Sequence, residues 1–170
     1  MKEILERISS YNLFNYLLPG TVFVFILSKT SDFNLIQKDL LIGGFLYYFI
    51  GLIISRIGSV IIEPILSKIS FIKFADYSDF VTYSKVDSKI DILSESNNMY
   101  RTMISLFLCL LLTRLYQWLS GLIGLSEHTG NTILLLLVLI LFLFSYRKQT
   151  NYITKRIVAN KKNNDTQHSV

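Results

Sequence analysis

The sequence predicts an all-α integral membrane protein, a four-helix transmembrane bundle with a small cytoplasmic helical extension. Hydrophobic residues make up 51% of the chain and cluster in long blocks, and about 20 apolar residues suffice to cross the hydrocarbon core of a bilayer. Phenylalanine and tyrosine are abundant, with 12 and 10 copies, which is typical of bilayer interfaces. Most lysines and arginines lie between alternate blocks, as the positive-inside rule requires of a multi-span protein.

Span one covers about residues 12–28. Pro19 and Gly20 lie roughly two turns into it, and proline removes a helical hydrogen bond, so we predict a kink or a fresh helix start there. Asn12 and Asn15 are polar groups at its entry and need partners. Residues 1–10 have one apolar face and are expected to lie on the inner membrane surface; a frayed terminus is the alternative.

Span two covers residues 40–62 and carries a stripe of small residues. Glycine recurs every seven positions and glycine or serine every four, at Gly44, Gly51, Ser55, Gly58 and Ser59. Small residues let helix backbones approach closely and gain contacts that lipid cannot match. We predict a helix-packing and oligomer seam here. The alternative is chance recurrence, because glycine is common in membrane helices.

Residues 63–101 are polar but contain too many aromatic side chains for a disordered linker. We predict a cytoplasmic loop domain into which span two continues towards residue 72 and from which span three begins near residue 90. Its acidic residues lack the spacing and the glycine of an EF-hand, which favours solvated surface charge over a cation site. The predicted partner-facing side chains are Phe74, Tyr77, Asp79, Phe80 and Tyr83.

Spans three and four cover residues 103–119 and 133–146. Four regions result: residues 1–62 hold the stub and spans one and two, 63–101 the loop domain, 102–146 spans three and four, and 147–170 a basic cytoplasmic tail. The tail directly follows span four, so attraction to lipid headgroups explains its charge better than nucleic acid does. We expect its last ten residues to be disordered. The single cysteine, Cys109, is interpreted as a small buried hydrophobe.

The basic residues also predict orientation. Thirteen lysines and arginines lie in the N-terminal stub, the 63–101 stretch and the tail, whereas the two opposite loops contain only Lys29 and Lys38. Both termini and the large loop are therefore predicted to be cytoplasmic.

Charged residues inside the apolar blocks are the first candidates for function. A charge at the centre of a span costs roughly 3 kcal/mol on insertion scales. Arg56 and Glu63 fall on one face of span two but about 10 Å apart along its axis, so each is expected to pair with a neighbouring helix. Arg114 lies near the outer end of span three, with Glu127 or Asp32 as candidate partners. A polar interface, a gate or a pore is one interpretation, and snorkelling to headgroups is the other.

No catalytic pattern is evident. The two histidines, His128 and His168, have no metal-ligand neighbours at useful spacing, and the common catalytic motifs are missing from the sequence. We therefore expect no enzyme activity, cofactor or metal.

The opening ISSYNLFNYLLPGTVF contains a run of residues that points to a known family. The residues concerned are Tyr11, Asn12, Phe14, Asn15, Leu18, Pro19 and Gly20. With the four-span layout, this opening resembles the KwaA family, the membrane component of the Kiwa anti-phage defence system. The likeness covers about the first 20 residues closely and the remainder only by layout. It implies a non-enzymatic membrane sensor that oligomerises and recruits a soluble, nucleic-acid-binding partner similar to KwaB.

The function expected from these observations is sensing at the membrane. We expect a homo-oligomer, a tetramer, in which the membrane lipid and a soluble effector are the partners and nucleic acid is not bound directly. A kinked span one and costly buried charges would give two nearly balanced packings. A disturbance of the envelope by phage would shift that balance. A pore-forming effector that depolarises the cell and a housekeeping scaffold are the alternatives.

Overall fold

The computed structural model describes residues 12–124 and 126–168 of the chain. Within these residues the regular elements are all helical, and four helices are long and apolar enough to cross a membrane. The predicted all-α four-helix transmembrane bundle is confirmed. The predicted N-terminal stub, residues 1–10, lies outside the described part of the chain.

Five helices follow one another in the described part of the chain. Helix α1 is Leu13–Thr30, α2 is Leu40–Lys68, α3 is Tyr77–Tyr83, α4 is Lys89–Ile123 and α5 is Glu127–His168. With 35 and 42 residues, α4 and α5 are about 52 and 63 Å long, against roughly 30 Å for a hydrocarbon core. Both therefore continue well beyond their apolar segments.

The limits of the helices lie close to local signals in the sequence. The side chain of Asp39 caps α2 by accepting a hydrogen bond from the backbone N–H of Ile42 at 2.9 Å. Gly124, with a φ of 67°, ends α4 in the left-handed conformation that glycine adopts without strain. Helix α5 continues through the tail to His168, where we predicted disorder for the last ten residues.

Helices α1 and α2 each contain one π-helical turn, and a proline explains both. The turns are Leu13–Leu17 and Gly58–Ile62, and their central residues, Asn15 and Val60, each lie four positions before a proline. A proline ring clashes with the carbonyl group four residues earlier and has no N–H to give it. Widening the helix by one residue relieves this clash. The predicted kink or helix start at Pro19–Gly20 is thus a change from π to α geometry at Leu18.

The backbones of α1 and α2 approach so closely that only glycine fits at two points. A Cβ atom on Gly20 would collide with the backbone of Tyr47, and one on Gly51 with the backbone of Tyr16. Such contact gains dispersion energy that a lipid tail would not supply. Four deeply buried apolar side chains lie at the meeting of α1, α2 and α4: Val24, Leu27, Ile54 and Leu106.

Two ends of the bundle differ in charge. We call the end that contains residues 63–101 and the part of α5 after Tyr146 the basic end, and the end that contains residues 31–39 and 124–126 the distal end. At the basic end α3 packs on α5: Val81 is buried, and Lys85 Nζ donates to Asn160 Oδ1 at 2.9 Å. At the distal end Gln117 Nε2 donates to Asp32 Oδ2 at 3.4 Å.

Candidate functional site: a polar junction at the basic end

Three polar side chains form a buried hydrogen-bonded node between α1, α2 and α4. Asn15, Ser55 and Thr102 are at most 3% exposed. Asn15 Nδ2 donates to Ser55 Oγ at 3.3 Å, and Thr102 Oγ1 lies 2.9 Å from Asn15 Oδ1 and 3.2 Å from Ser55 Oγ. Polar groups in an apolar medium need such partners, so Asn15, which the sequence left without one, finds its partners on two other helices.

Arg56 lies beside this node. Its Nη2 donates to the hydroxyl of Tyr16 at 3.5 Å, a long hydrogen bond, and the ring of Tyr16 meets Tyr48 edge to face at 5.5 Å. Both ion pairs among the described residues use Glu63, so Arg56 has a phenol and no carboxylate as its partner there.

Glu63 connects α2 to both α4 and α5. One carboxylate oxygen accepts from Arg101 Nη1 on α4, and the other accepts from Lys148 Nζ on α5 at 2.8 Å. The three side chains are only 14–24% exposed. One carboxylate shared by two cations leaves the cluster with a net positive charge. Glu63 therefore pairs with neighbouring helices and not with Arg56, in the way that the spacing of the two residues in α2 suggests.

The π turn of α2 supplies a further acceptor to Lys148. The N–H of Glu63 bonds the carbonyl oxygen of Gly58, five residues back, and the next residue, Pro64, has no N–H. The carbonyl oxygen of Ser59 therefore lacks a helical partner, and Lys148 Nζ hydrogen-bonds it. Lys148 thus donates hydrogen bonds to both the irregular turn and the carboxylate of Glu63, because one ammonium group can donate three hydrogen bonds.

A cavity of about 560 Å³ opens beside the node and the ion cluster, and all five helices contribute to its wall. We call it the polar cavity. Asn15 and Tyr16 line it from α1, and serine and amide side chains line it elsewhere. Five charged side chains line it as well: Arg56, Glu63, Asp76, Arg101 and Lys155. Both predicted residues of span two, Arg56 and Glu63, thus face one cavity.

The predicted partner-facing side chains divide into two groups. Phe74, Tyr77 and Phe80 line the polar cavity, and the ring of Tyr77 lies 6.3 Å from Phe80 and 5.9 Å from Tyr152. Asp79 and Tyr83 are exposed on the outer side of α3. Tyr77 and Phe80 therefore help to seat α3 against the bundle, whereas Phe74 and Tyr83 are more than half exposed.

The stripe of small residues faces helices of the same chain. Gly51 meets α1; a Cβ on Gly58 would lie 2.5 Å from Ser105 Oγ of α4; Ser55 belongs to the node, and Ser59 is buried. Only Gly44 has open space beside its Cα. Because these contacts are internal, this face of α2 is not free for contacts between copies, except at Gly44.

Arg114 is not part of the junction. Its side chain is exposed on α4, and among the described residues it makes no hydrogen bond or ion pair. Of its two candidate partners, Asp32 is bonded by Gln117 instead, and the side chain of Glu127 lies outside the described part.

Sequence reasoning did not identify three residues of the tail as part of the junction. Lys148, Tyr152 and Lys155 are spaced by four and three positions, which puts them on one face of a helix, and all three face the junction. That spacing was visible, but only a helical tail makes it meaningful. Lys148 Nζ also lies 5.6 Å from the centre of the Tyr152 ring, close enough for a cation–π contact.

The junction is made of charged and hydrogen-bonding side chains. No group of three histidine, cysteine, aspartate or glutamate side chains suited to a metal occurs among residues 12–124 and 126–168, and the described wall of the polar cavity contains neither histidine nor cysteine. Comparison of the chain with protein-family models, with curated proteins and with solved structures finds no match. The residues of the junction are therefore the basis for inferring function.

Proposed function

We propose that this chain is a non-enzymatic membrane sensor and scaffold of a bacterial anti-phage defence system, which recruits a soluble nucleic-acid-binding effector to its basic end. The observation that carries the proposal is the continuous set of contacts from the spans to α3. The opening residues 11–20, which resemble those of KwaA proteins, supply the link to defence. In this protein Asn15 of that opening belongs to the buried node, so the resemblance and the junction share one residue.

The contacts run from the membrane-spanning segments to an exposed surface. The node joins α1, α2 and α4, and Glu63 joins α2 to α4 and α5. Tyr152 of α5 contacts Tyr77 of α3, whose outer side presents Asp79 and Tyr83. A change in the packing of the spans would therefore move the surface on which a partner is proposed to bind.

We further propose that the membrane is the bacterial inner membrane, with both termini in the cytoplasm. Support comes from the thirteen basic residues predicted on one side against two on the other. Reporter fusions after the last residue and within residues 31–39 test this orientation. The C-terminal fusion should report the cytoplasm, and an external signal from it would refute the orientation.

The proposed oligomer, a tetramer, would use the faces of α4 and α5 that the chain leaves exposed. Only 6% of the apolar segment of α4 and 11% of that of α5 is buried within one chain. The small-residue stripe, being occupied, is unsuited to the role. The mass of the protein purified in detergent tests this proposal, and a monomer at all concentrations would contradict it.

Phage challenge of cells tests the function. The chain is expressed with the genes beside it, and plaque formation and membrane recruitment of the neighbouring soluble protein are measured. We expect the double change Asp79→Ala and Tyr83→Ala to abolish recruitment and protection with insertion unchanged. Glu95→Gln, an exposed change on α4, is the matched control. Unaltered recruitment by the double variant would refute α3 as the docking surface, and equal plating with and without the chain would refute the role in defence.

A pore-forming effector is the second candidate, and the polar cavity with Arg56 is the observation that favours it. Its polar lining reaches inward only as far as Asn15 and Ser55, beyond which the described interior is made of Val24, Leu27 and Leu106. A path through one chain would need polar groups along its whole length. Uptake of a membrane-potential dye on expression separates the two functions, because only the pore predicts depolarisation. A housekeeping scaffold, the third candidate, predicts neither depolarisation nor protection.

A further inference from the structure

We propose that the polar cavity is a binding site for a phosphate-bearing anion, with Arg56 and Lys155 as its principal cations. The proposal concerns ligand binding alone and holds whether or not the chain recruits a partner. It rests on the charges of the wall, on its amide donors and on the depth of the cavity.

The wall has more positive than negative charge available to a ligand. Of its three cations, Arg101 is paired with Glu63, whose other oxygen is occupied by Lys148. Arg56 and Lys155 have no carboxylate partner in the described chain, and the remaining acid, Asp76, lies on the exposed connection before α3. A guanidinium presents five donors in a planar fork that suits phosphate oxygens. Arg56 uses one of them, in the long bond to Tyr16.

Neutral donors line the cavity beside the cations. The amide groups of Asn97, Asn98 and Gln149 line it and can donate hydrogen bonds. An anion with several oxygen atoms would accept from these amides and from Arg56 and Lys155 together, since charge-assisted hydrogen bonds are the strongest that proteins make.

The cavity lies at the depth of lipid phosphates if α2 enters the hydrocarbon at its first residue, Leu40. Arg56 is then about 24 Å and Glu63 about 34 Å along the helix, on either side of the roughly 30 Å limit of a hydrocarbon core. The volume, about 560 Å³, is that of a small-molecule site. The same chemistry could come from an anionic lipid headgroup or from a soluble phosphate compound, and the experiment separates these sources.

Native mass spectrometry of the full chain, with matched variants, tests the proposal. The protein is taken from nanodiscs of phosphatidylcholine with or without phosphatidylglycerol, and detergent-purified protein is separately mixed with inorganic phosphate or adenosine diphosphate. The variants Arg56→Gln and Lys155→Gln each remove one cation of the cavity. Their controls, Arg114→Gln and Arg156→Gln, remove exposed cations on α4 and on α5 next to Lys155.

We expect one source to bind to the wild type and to both controls, and Arg56→Gln to weaken it about tenfold or more, the loss of one strong charge-assisted contact. Lys155→Gln, an exposed position whose change leaves the fold intact, should weaken it several-fold. Selective retention of phosphatidylglycerol identifies a lipid ligand, and retention of adenosine diphosphate or phosphate identifies a soluble one. Equal losses in cavity variants and controls, or no binding of any of these phosphates, would overturn the proposal.

Discussion

Helices α1 and α2 are held to each other differently from the way in which α4 and α5 are each held to the bundle. In the first pair 28% of each apolar segment is buried, and glycine brings backbone against backbone at Gly20 and Gly51. In α4 and α5 only 6% and 11% are buried, and much of their attachment is polar, through Thr102, Arg101 and Lys148. Because lipid tails are as apolar as leucine, helices in a bilayer need either close fit or hydrogen bonds to associate. In this chain, close fit joins α1 to α2, and hydrogen bonds and ion pairs join α4 and α5 to the bundle.

Loss of the close fit between α1 and α2 should lower the free energy of unfolding more than loss of any polar contact. Gly51→Leu would drive a side chain into the backbone of Tyr16, and we expect it to destabilise the protein by about 3 kcal/mol. Thermal unfolding in detergent measures the effect. Gly44→Leu, at the open position of the same stripe, is the control and should cost little. Equal tolerance of both changes would show that α1 and α2 do not approach as described.

The polar attachment of the second pair depends most on Glu63. Glu63→Gln leaves Arg101 and Lys148 facing each other without a carboxylate. Loss of one partner of a buried pair costs 3–5 kcal/mol, and because these side chains are 14–24% exposed we expect about 2 kcal/mol. Loosening of α4 and α5 should appear as faster proteolysis within residues 69–88. Asp79→Asn, a change of an exposed acid on α3, should alter neither the stability nor the rate of proteolysis. A Glu63 variant as stable as wild type would show that Glu63 does not hold α4 and α5.

The node is the next weaker attachment. Thr102→Val keeps the shape of the side chain but removes the donor to Asn15 Oδ1. Hydrogen bonds between membrane helices contribute about 0.5–2 kcal/mol, so we expect a loss of about 1 kcal/mol in detergent unfolding. The matched control is Thr113→Val, whose hydroxyl bonds only Cys109 of its own helix. If the two valine variants lost the same stability, the node would not hold α4.

The smallest effect is expected at Arg114. Since its side chain is exposed and unbonded among the described residues, Arg114→Leu should leave the free energy of unfolding unchanged within about 0.5 kcal/mol. Arg56→Leu, by contrast, removes a wall residue of the polar cavity. A marked loss of stability in the Arg114 variant would reveal a partner for it, most simply a second copy on the face of α4.

The four spans could be predicted from the sequence because apolar blocks report directly on the surrounding medium. The special geometry near Pro19 was also predictable, since a proline acts on its own helix. The π turns were not anticipated, although Asn15 and Val60 each lie four positions before a proline. Local sequence indicates that a helix must yield there, but whether it kinks or widens depends on the neighbours that receive the displaced backbone groups.

The partners within the junction were harder to predict. Glu63 is separated by 38 and 85 residues from the two cations that it binds, and nothing local distinguishes Arg101 or Lys148 from other basic residues near a span. Because span four was predicted to end at residue 146, the helical continuation into the tail was missed. Only when α5 is seen as one helix do Lys148, Tyr152 and Lys155 share a face.

Because α5 is one uninterrupted helix, a tilt of its apolar part also displaces its C-terminal part. Asn160, to which Lys85 just after α3 is bonded, lies about 20 Å beyond Tyr146 along the axis. Transmembrane helices adjust their inclination to bilayer thickness, and a rotation of about 10° would carry that point sideways by about 3.5 Å, given a rise of about 1.5 Å per residue. A local thinning of the bilayer, too slight to unfold anything, would thereby become a displacement as large as a side-chain contact at a site outside the lipid.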